Sequence, residues 1–535
     1  MKRKTINQLI LALLAVVTIT SCAKKLDLFP QNDLTPEKAF STPEGYKSVL
    51  AKIYATLAVT GNQGAAGAPD IGGGLDEGSQ VAFIRGFFNA QELPTDEAVV
   101  AWNDQTIHDF HFLRWTAADP FLRGLYARPI YNITLINEFL REAGDDKLAE
   151  RGITGTAASD IKNARAEVRF LRAFNYWVMM DLFGKSTFIT EADRVGSTLP
   201  NEASRTQLFT YIESELKAID GELAPAKTIE YGRVDQSAAW ALLARLYLNA
   251  GVYTGTARYT DAIAYAKKVI EAGYTLRPNY PQLFLADNHK HKDEFIWTIN
   301  CDGLRTQAYG NTTFFTHAAA GSNNDEYGVR DGWFGYRATT ALTSLFSDPT
   351  GASDQRALFN NLSNATISDI TNFAQGPWVK KWRNVRSDGL PTADANRDYA
   401  DIDFPIFRLP EMYFIYTEAM LRGGTGADPA TALTYMNNLR QRAYGGSYGV
   451  GNVGRLNASD ITLSFVLDER ARELYWEGHR RTDLVRYNLL TTATYLWPWK
   501  GGVQSGTAVD SKYNIYPIPA ANLTANPNLT QNTGY

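Results

Sequence analysis

The residues of this chain best suited to chemistry are aromatic side chains placed in polar loops. The chain has 11 tryptophans, and five of them lie in segments rich in Gly, Pro or Asn: Trp102, Trp333, Trp378, Trp497 and Trp499. The apolar C–H face of a pyranose packs on an aromatic ring, and Asn, Asp or Arg side chains can hydrogen-bond the sugar hydroxyl groups. These loops therefore favour non-covalent recognition of a sugar.

Patterns that would indicate catalysis are incomplete. Gly445–Gly449 satisfies G-x-S-x-G and Gly449–Gly454 satisfies G-x-G-x-x-G, but neither follows the strand that each motif requires. A glycosidase needs two carboxylates facing each other across a cleft, and nothing in the sequence selects two of the 57 acidic residues. Binding is therefore the favoured function, and a surface glycoside hydrolase is the weaker alternative.

One acidic stripe has a regular spacing. Glu469, Glu473 and Glu477 recur every four residues on a predicted helix, with several arginines close by in the sequence. This spacing predicts an ion-pair network that joins the helix to its neighbours, with catalysis or anion binding as the alternative.

Composition excludes several classes of protein. With 535 residues, 44% hydrophobic and 21% charged, the chain is globular and not disordered. A net charge of −4 gives no positive field to bind nucleic acid. Two cysteines are too few for a Cys-rich zinc site.

The N-terminus is typical of an exported lipoprotein. Lys2, Arg3 and Lys4 precede the apolar run Leu9–Val17, which is shorter than the roughly 20 residues needed to cross a bilayer. The following 19–22 segment, Ile-Thr-Ser-Cys, resembles a lipobox, which implies cleavage before Cys22 and lipidation of its thiol. The expected organisation is a signal peptide at 1–21, a lipid-anchored tether at 22–40 and a single body at 41–535.

Helical periodicity dominates the body. Phe170, Ala173, Phe174 and Trp177 fall on one helix face, and Gly184 is placed to end that helix.

A second helical pattern is more specific. Trp240, Leu243, Ala244 and Tyr247 have the spacing of a tetratricopeptide first helix, and a second helix is expected after a loop at 251–260.

Further helices are expected at 410–421, 429–443 and 461–477, and 295–299 could form a strand. The predicted fold is mainly α: a superhelix of tetratricopeptide-like hairpins with an irregular, loop-rich lobe built from insertions around 61–115 and 301–400.

Several segments together resemble the SusD/RagB family of outer-membrane nutrient-binding lipoproteins. The similar segments, in chain order, are Phe170–Phe174, Asp403–Leu409, Arg440–Ala443, Glu469–Leu474, Pro517–Pro519 and Asn526–Asn532. The resemblance implies a SusD-like fold and a binding role without catalysis. It also implies a location at the cell outer membrane, surface-exposed and lipid-anchored, with a SusC-like TonB-dependent transporter as partner and an oligosaccharide as ligand. A peptide ligand is the alternative within the family.

The predicted ligand site combines loop aromatics with neighbouring polar side chains. The stacking rings would be Trp102, Trp333, Phe334 and Tyr336, and the hydrogen-bonding groups Asn103, Asp104 and Arg337. The family's Gly-rich turn is shortened at 101–104. No cofactor is expected, and a structural calcium ion in an Asp-rich loop is left open.

Overall fold

The protein is described by a computed structural model that covers residues 35–535 except residues 195, 197 and 322. The predicted signal peptide, the predicted lipidation at Cys22 and most of the predicted tether lie outside the described residues. At the described end of the tether range, Pro36–Ala39 is helical, and the ring of Phe40 contacts Tyr46 and Phe139. Within the described residues, no helix is long and apolar enough to cross a membrane.

Helices form most of the regular structure. In chain order they are α1 (Pro36–Ala39), α2 (Pro43–Ala55), α3 (Phe83–Glu92), α4 (Ile107–Phe112), α5 (Pro120–Glu142), α6 (Asp145–Glu150), α7 (Gly155–Phe183), α8 (Arg205–Ala218), α9 (Gln236–Leu248), α10 (Ala250–Thr254), α11 (Tyr259–Glu271), α12 (Thr312–Ala319), α13 (Asn324–Tyr327), α14 (Thr340–Thr343), α15 (Leu409–Leu421), α16 (Pro429–Ala443), α17 (Leu463–Leu474), α18 (Arg480–Arg486) and α19 (Ala520–Ala525).

The strands are short and form two-stranded antiparallel sheets. They are β1 (Val99–Val100), β2 (Ser186–Phe188), β3 (Asn201–Ala203), β4 (Phe295–Ile299), β5 (Tyr336–Arg337), β6 (Phe359–Asn360), β7 (Trp378–Val379) and β8 (Phe404–Arg408). The pairs are β1 with β5, β2 with β3, β4 with β8, and β6 with β7. The predicted strand at 295–299 is confirmed as β4.

Helix α7 lies at the centre of the core. The predicted face is confirmed: Phe170 and Phe174 both meet the ring of Trp297 edge-on, at 5.3 and 5.1 Å between ring centroids. The helix ends at Phe183 because Gly184 adopts a φ of +72°, a left-handed conformation that glycine reaches without a steric cost. Because Trp297 lies on β4, burying these rings on one face packs the helix against the β4–β8 pair.

The helical layer is a series of packed neighbours: α5 with α7, α7 with α8, α9 with α11, α11 with α15, and α15 with both α16 and α17. Asp235 caps α9 by accepting the Ala238 N–H, and Tyr247 of α9 packs on Tyr265 of α11. The loop predicted at 251–260 contains the short helix α10, which ends where Gly255 turns left-handed. The mainly α, hairpin-based prediction is confirmed.

Helix α17 ends earlier than the sequence predicts. It stops at Leu474 rather than at residue 477, because Tyr475 is extended and Trp476 has a φ of +61°. Trp476 donates both its backbone N–H and its indole N–H to Glu97. Tertiary bonds to a distant segment therefore replace the last helical turn.

The predicted ion-pair network is confirmed and is buried. Glu473 contacts Arg442, Arg408 and Arg356 at 2.5, 2.6 and 3.3 Å, and its side chain is 0% exposed. Burial alone would raise the pKa of Glu473, but the three guanidinium groups hold it at about 2. Glu469 and Glu477 extend the network to further arginines and to a lysine. It joins α16, α17 and β8.

Candidate functional site

The short ladder between β1 and β5 brings two distant loops together. Val99 pairs with Arg337 and Val100 with Tyr336, and the Ala101 N–H donates to the Gly335 carbonyl at 2.8 Å. Trp102 follows β1 after one intervening residue, and Trp333 precedes β5 by two intervening residues. The ladder thus places Trp102 and Trp333 side by side, with ring centroids 6.5 Å apart and ring planes at 52°.

Gly335 lies directly against the Trp102 ring. A Cβ atom at residue 335 would lie 2.2 Å from Trp102 Nε1, closer than any non-bonded contact allows, and the glycine φ is +105°. Below the indole, the Tyr336 ring meets it edge-on at 5.0 Å. Only glycine lets the indole approach the backbone this closely while a buried ring supports it.

His317 supports the Trp333 ring. Its own ring lies 4.7 Å from the Trp333 ring, and its carbonyl accepts the Trp333 N–H at 2.8 Å. Burial lowers the pKa of His317, so the imidazole is neutral at neutral pH. Its Nδ1 lies 2.8 Å from the Asp331 carbonyl and must donate, because a carbonyl only accepts. The indole therefore rests on a fixed, uncharged plane.

A third ring completes the platform. Tyr309 lies 6.0 Å from Trp333, with the two ring planes at 61°. Trp102, Trp333 and Tyr309 are all half-buried, so each keeps part of its ring exposed to solvent. We call these three residues the aromatic arc. Sequence reasoning missed Tyr309, whose one local signal is its place in a Gly- and aromatic-rich loop.

Arg85 lies beside the arc, and sequence reasoning did not identify it as a candidate site residue. Its guanidinium is 5.3 Å from the Trp102 ring centroid and 4.7 Å from that of Phe314. Burial lowers its pKa, and nearby Asp104 opposes that effect. The Nε atom is buried with no hydrogen-bond partner among the described residues, and Nη1 has only a long contact of 3.4 Å to the Gly78 carbonyl. Arg85 is 6% exposed, so its unpaired Nε is a buried donor beside the arc.

Three other predicted residues lie at the surface of this site. Asn103 and Asp104 follow Trp102 and are exposed, and Phe334 follows Trp333 and is half-buried. No hydrogen bond joins the Asn103 side chain to another described residue, so its amide is available to a ligand. Phe334 has a φ of +56°, which turns the chain between Trp333 and Gly335.

Tyr336 and Arg337 differ from the expectation. Tyr336 is 1% exposed and donates its hydroxyl to Asn89 at 2.9 Å, so it supports the arc from below. Arg337 is 0% exposed and donates to three carbonyls, those of Ile370, Asn372 and Gln375, at 2.6–2.8 Å. Burial lowers the pKa of Arg337 to about 10. Its guanidinium holds the neighbouring loop and does not reach the arc surface.

The other loop tryptophans lie outside the arc. Trp497 is buried, the ring of Trp378 packs beneath Gly321, and the Trp499 indole donates to the Ile367 carbonyl. Within residues 35–535, apart from the three left out, no group of three or more His, Cys, Asp or Glu side chains is placed to hold a metal ion. A calcium site remains a prediction.

The arc is an open surface and not an enclosed pocket. Two cavities elsewhere among the described residues have other linings. One of about 750 Å³ is lined by Tyr46, Asp160 and Arg233, and one of about 350 Å³ by Leu57 and Trp297. An open row of tilted rings suits a long ligand that lies along the surface better than a small molecule that needs to be surrounded.

Comparison with known proteins fits this architecture. The chain is 36% identical to "Starch-binding protein SusD" of Bacteroides thetaiotaomicron, over 100% of both chains. The chain belongs to the SusD family. The family model described as the SusD family matches residues 322–535. The SusD/RagB resemblance drawn from the sequence motifs is therefore confirmed.

Solved structures show the same fold at low identity. A structure described as a laminarin-binding SusD-like protein has a TM-score of 0.67 at 20% identity, covering 92% of this chain and 99% of that chain. Surface glycan-binding protein A from Bacteroides uniformis has a TM-score of 0.67 at 21% identity, with the same coverage. The SusD-like fold therefore spans the body of this chain.

Proposed function

We propose that this protein is a glycan-binding lipoprotein of the cell outer membrane that holds an oligosaccharide, most specifically a starch-type α-glucan, on the aromatic arc. The observation that supports this most strongly is the arc itself: Trp102, Trp333 and Tyr309 are half-buried, with ring centroids 6.5 Å apart for Trp102 and Trp333 and 6.0 Å apart for Trp333 and Tyr309. Sugar rings can stack on successive aromatic faces of this kind.

The tilt of the rings favours a bent glycan. Successive planes differ by 52° and 61°, so the three rings form a curved surface and not a flat strip. An α-1,4-linked glucan bends along its length, whereas a β-1,4-linked glucan is nearly straight. The starch-binding relative, 36% identical over its full length, supports the same choice.

Polar groups beside the rings would fix the sugar orientation. Arg85 has one unpaired, buried donor, Nε, next to Trp102, and Asn103 and Asp104 are exposed in the segment that follows Trp102. Charged and amide groups can bond adjacent hydroxyls of a pyranose, which gives specificity that stacking alone lacks. Arg85, Asn103 and Asp104 are therefore the proposed hydrogen-bonding set.

The test is binding to a panel of soluble polysaccharides, including amylopectin and laminarin, by affinity electrophoresis and calorimetry. We expect retention by amylopectin, and a loss of about tenfold or more in affinity when W102A and W333A are combined. W240A, which changes a half-buried tryptophan of α9, is the matched control and should bind normally. Binding to laminarin alone would refute the α-glucan assignment, and an unaffected double variant would refute the site.

We also propose that binding occurs without catalysis and that the bound glycan passes to a SusC-like TonB-dependent transporter. The family membership supports both. Prolonged incubation with the bound polysaccharide should release no reducing sugar. Affinity purification from detergent-extracted outer membranes should recover a TonB-dependent transporter with this chain, and recovery of the chain alone would contradict the partnership.

A further inference from the structure

We infer that Tyr399 adds a fourth ring to the aromatic arc and makes this site selective for longer oligosaccharides. The inference rests on the proposed function and concerns the length of glycan that the site recognises. It starts from Tyr309, whose ring contacts that of Tyr399 as well as that of Trp333.

The Tyr399 ring continues the row with the same spacing. Its centroid lies 5.5 Å from that of Tyr309, with planes at 36°, and its hydroxyl lies 3.2 Å from the Tyr309 hydroxyl. Like the arc residues, Tyr399 is half-buried. From Trp102 to Tyr399, successive ring centroids are thus 6.5, 6.0 and 5.5 Å apart, so each ring is a close neighbour of the next.

The turn that presents Tyr399 is rigid before any ligand binds. The buried Asp394 carboxylate accepts the backbone N–H groups of Asn396, Asp398 and Tyr399 at 2.8–3.0 Å. The next residue, Ala400, is buried and donates to Thr313 Oγ1. A ring on a fixed turn loses little conformational entropy on binding, so its contact adds directly to affinity.

Charged side chains flank this end of the platform. Arg330 pairs with Asp398 at 2.7 Å, and Arg397 pairs with Asp325 at 2.8 Å; all four side chains are partly or largely exposed. Such groups can exchange part of their hydration for sugar hydroxyls, as the polar groups near Trp102 would do at the other end. The Tyr399 end therefore has both components of a sugar subsite: an aromatic face and a polar rim.

Four rings predict a dependence on ligand length. A trisaccharide can occupy Trp102, Trp333 and Tyr309 without reaching Tyr399, whereas a heptasaccharide can cover all four rings. Removing the fourth ring should therefore weaken binding of the long ligand and leave the short one unchanged.

The experiment is calorimetric titration of the purified full-length chain in detergent with maltotriose and with maltoheptaose. We expect Y399A to weaken maltoheptaose binding about threefold to tenfold and to leave maltotriose binding within twofold. Y399F keeps the ring and loses only the hydroxyl contact, so it should bind both ligands as the wild type does. Y265A, a half-buried tyrosine of α11, is the matched control.

Each outcome separates the two proposals. If the wild-type chain binds neither oligosaccharide, the proposed function is wrong, and this inference is wrong with it. If the wild type binds both and Y399A weakens both equally or neither, the proposed function stands and the fourth ring is refuted. Loss of maltoheptaose affinity in Y399F as well as in Y399A would assign the effect to the hydroxyl pair and would also refute stacking.

Discussion

A buried carboxyl pair behind the site makes stability depend on pH in an unusual direction. Glu92, at the end of α3, accepts the backbone N–H groups of Gly478 and His479 at 2.6 and 3.2 Å and hydrogen-bonds to Glu97. Both carboxyl groups are almost fully buried. Burial raises the pKa of Glu92 from 4.5 to about 7, more than these hydrogen bonds lower it. Burial, and next the charge of the neighbouring Glu92, also raise the pKa of Glu97 well above its ordinary value.

The size of this pH effect on the free energy of unfolding follows from the difference in proton binding between the folded and unfolded states. A raised pKa in the folded state means that the folded protein holds a proton that the unfolded chain releases above pH 4.5. The contribution of Glu92 to the free energy of unfolding is therefore complete below pH 4.5 and is lost as the pH rises to about 7. At about 1.4 kcal/mol per pKa unit, the loss from Glu92 is about 3 kcal/mol.

The informative variant is E92Q, which keeps an oxygen to accept the two N–H groups and cannot ionise. Denaturant unfolding of wild type and E92Q should be measured from about pH 4 to about pH 9. The free energy of unfolding of E92Q relative to wild type should rise by about 3 kcal/mol across the window from pH 4.5 to 7 and stay constant above it. Titrating groups that do not contact Glu92 are common to both proteins and cancel in the difference, which therefore measures the titration of the Glu92–Glu97 pair.

The matched control is E271Q, in which the replaced glutamate is 67% exposed. Its difference from wild type should stay nearly flat over the same range. A flat difference for E92Q would refute the reasoning, because it would mean that water or local opening keeps this carboxyl near its ordinary pKa. A difference that falls with rising pH would mean that Glu92 is ionised and stabilised in the fold.

Two further substitutions test the seat of the arc and the buried network. In G335A the new Cβ would displace the Trp102 indole, so glycan affinity should fall. The chain should still fold, at a cost of about 1–3 kcal/mol in the free energy of unfolding. The control is G389A, because Gly389 also has a positive φ but has open space around it, and this variant should keep full affinity. E473Q removes the charge between three buried guanidinium groups and should cost about 3–5 kcal/mol in denaturant unfolding, and a cost below about 1 kcal/mol would refute a network held by charge.

Local periodicity predicted the helical part of the fold well. The face of Phe170 and Phe174, the stop at Gly184 and the tetratricopeptide spacing of α9 all depend on residues that are close together in the sequence. The end of α17 was wrong because the deciding bonds, from Trp476 to Glu97, come from a segment far away in the chain. Propensity cannot anticipate a tertiary contact of that kind.

The candidate site could also be predicted only in part, because it depends on contacts between segments that are far apart in the chain. Trp102 and Trp333 were identifiable as large rings in polar loops, and the structure places them together. Arg337 was expected to bond the ligand as a polar neighbour of the loop aromatics, yet its guanidinium donates to three carbonyls of a neighbouring loop. Tyr309 and Arg85 have no local pattern that separates them from other tyrosines and arginines, since their role depends on which loops converge.

The β1–β5 ladder also determines at which stage of folding the aromatic arc forms. The bond from Tyr336 to Asn89, at the foot of the same ladder, closes a loop of 247 residues. Contacts of such long range form late in folding, because the entropy of closing the intervening chain must be lost before they contribute. Glycan binding should therefore report on completion of folding. A bound glycan would protect the whole lobe against unfolding and proteolysis through mass action alone.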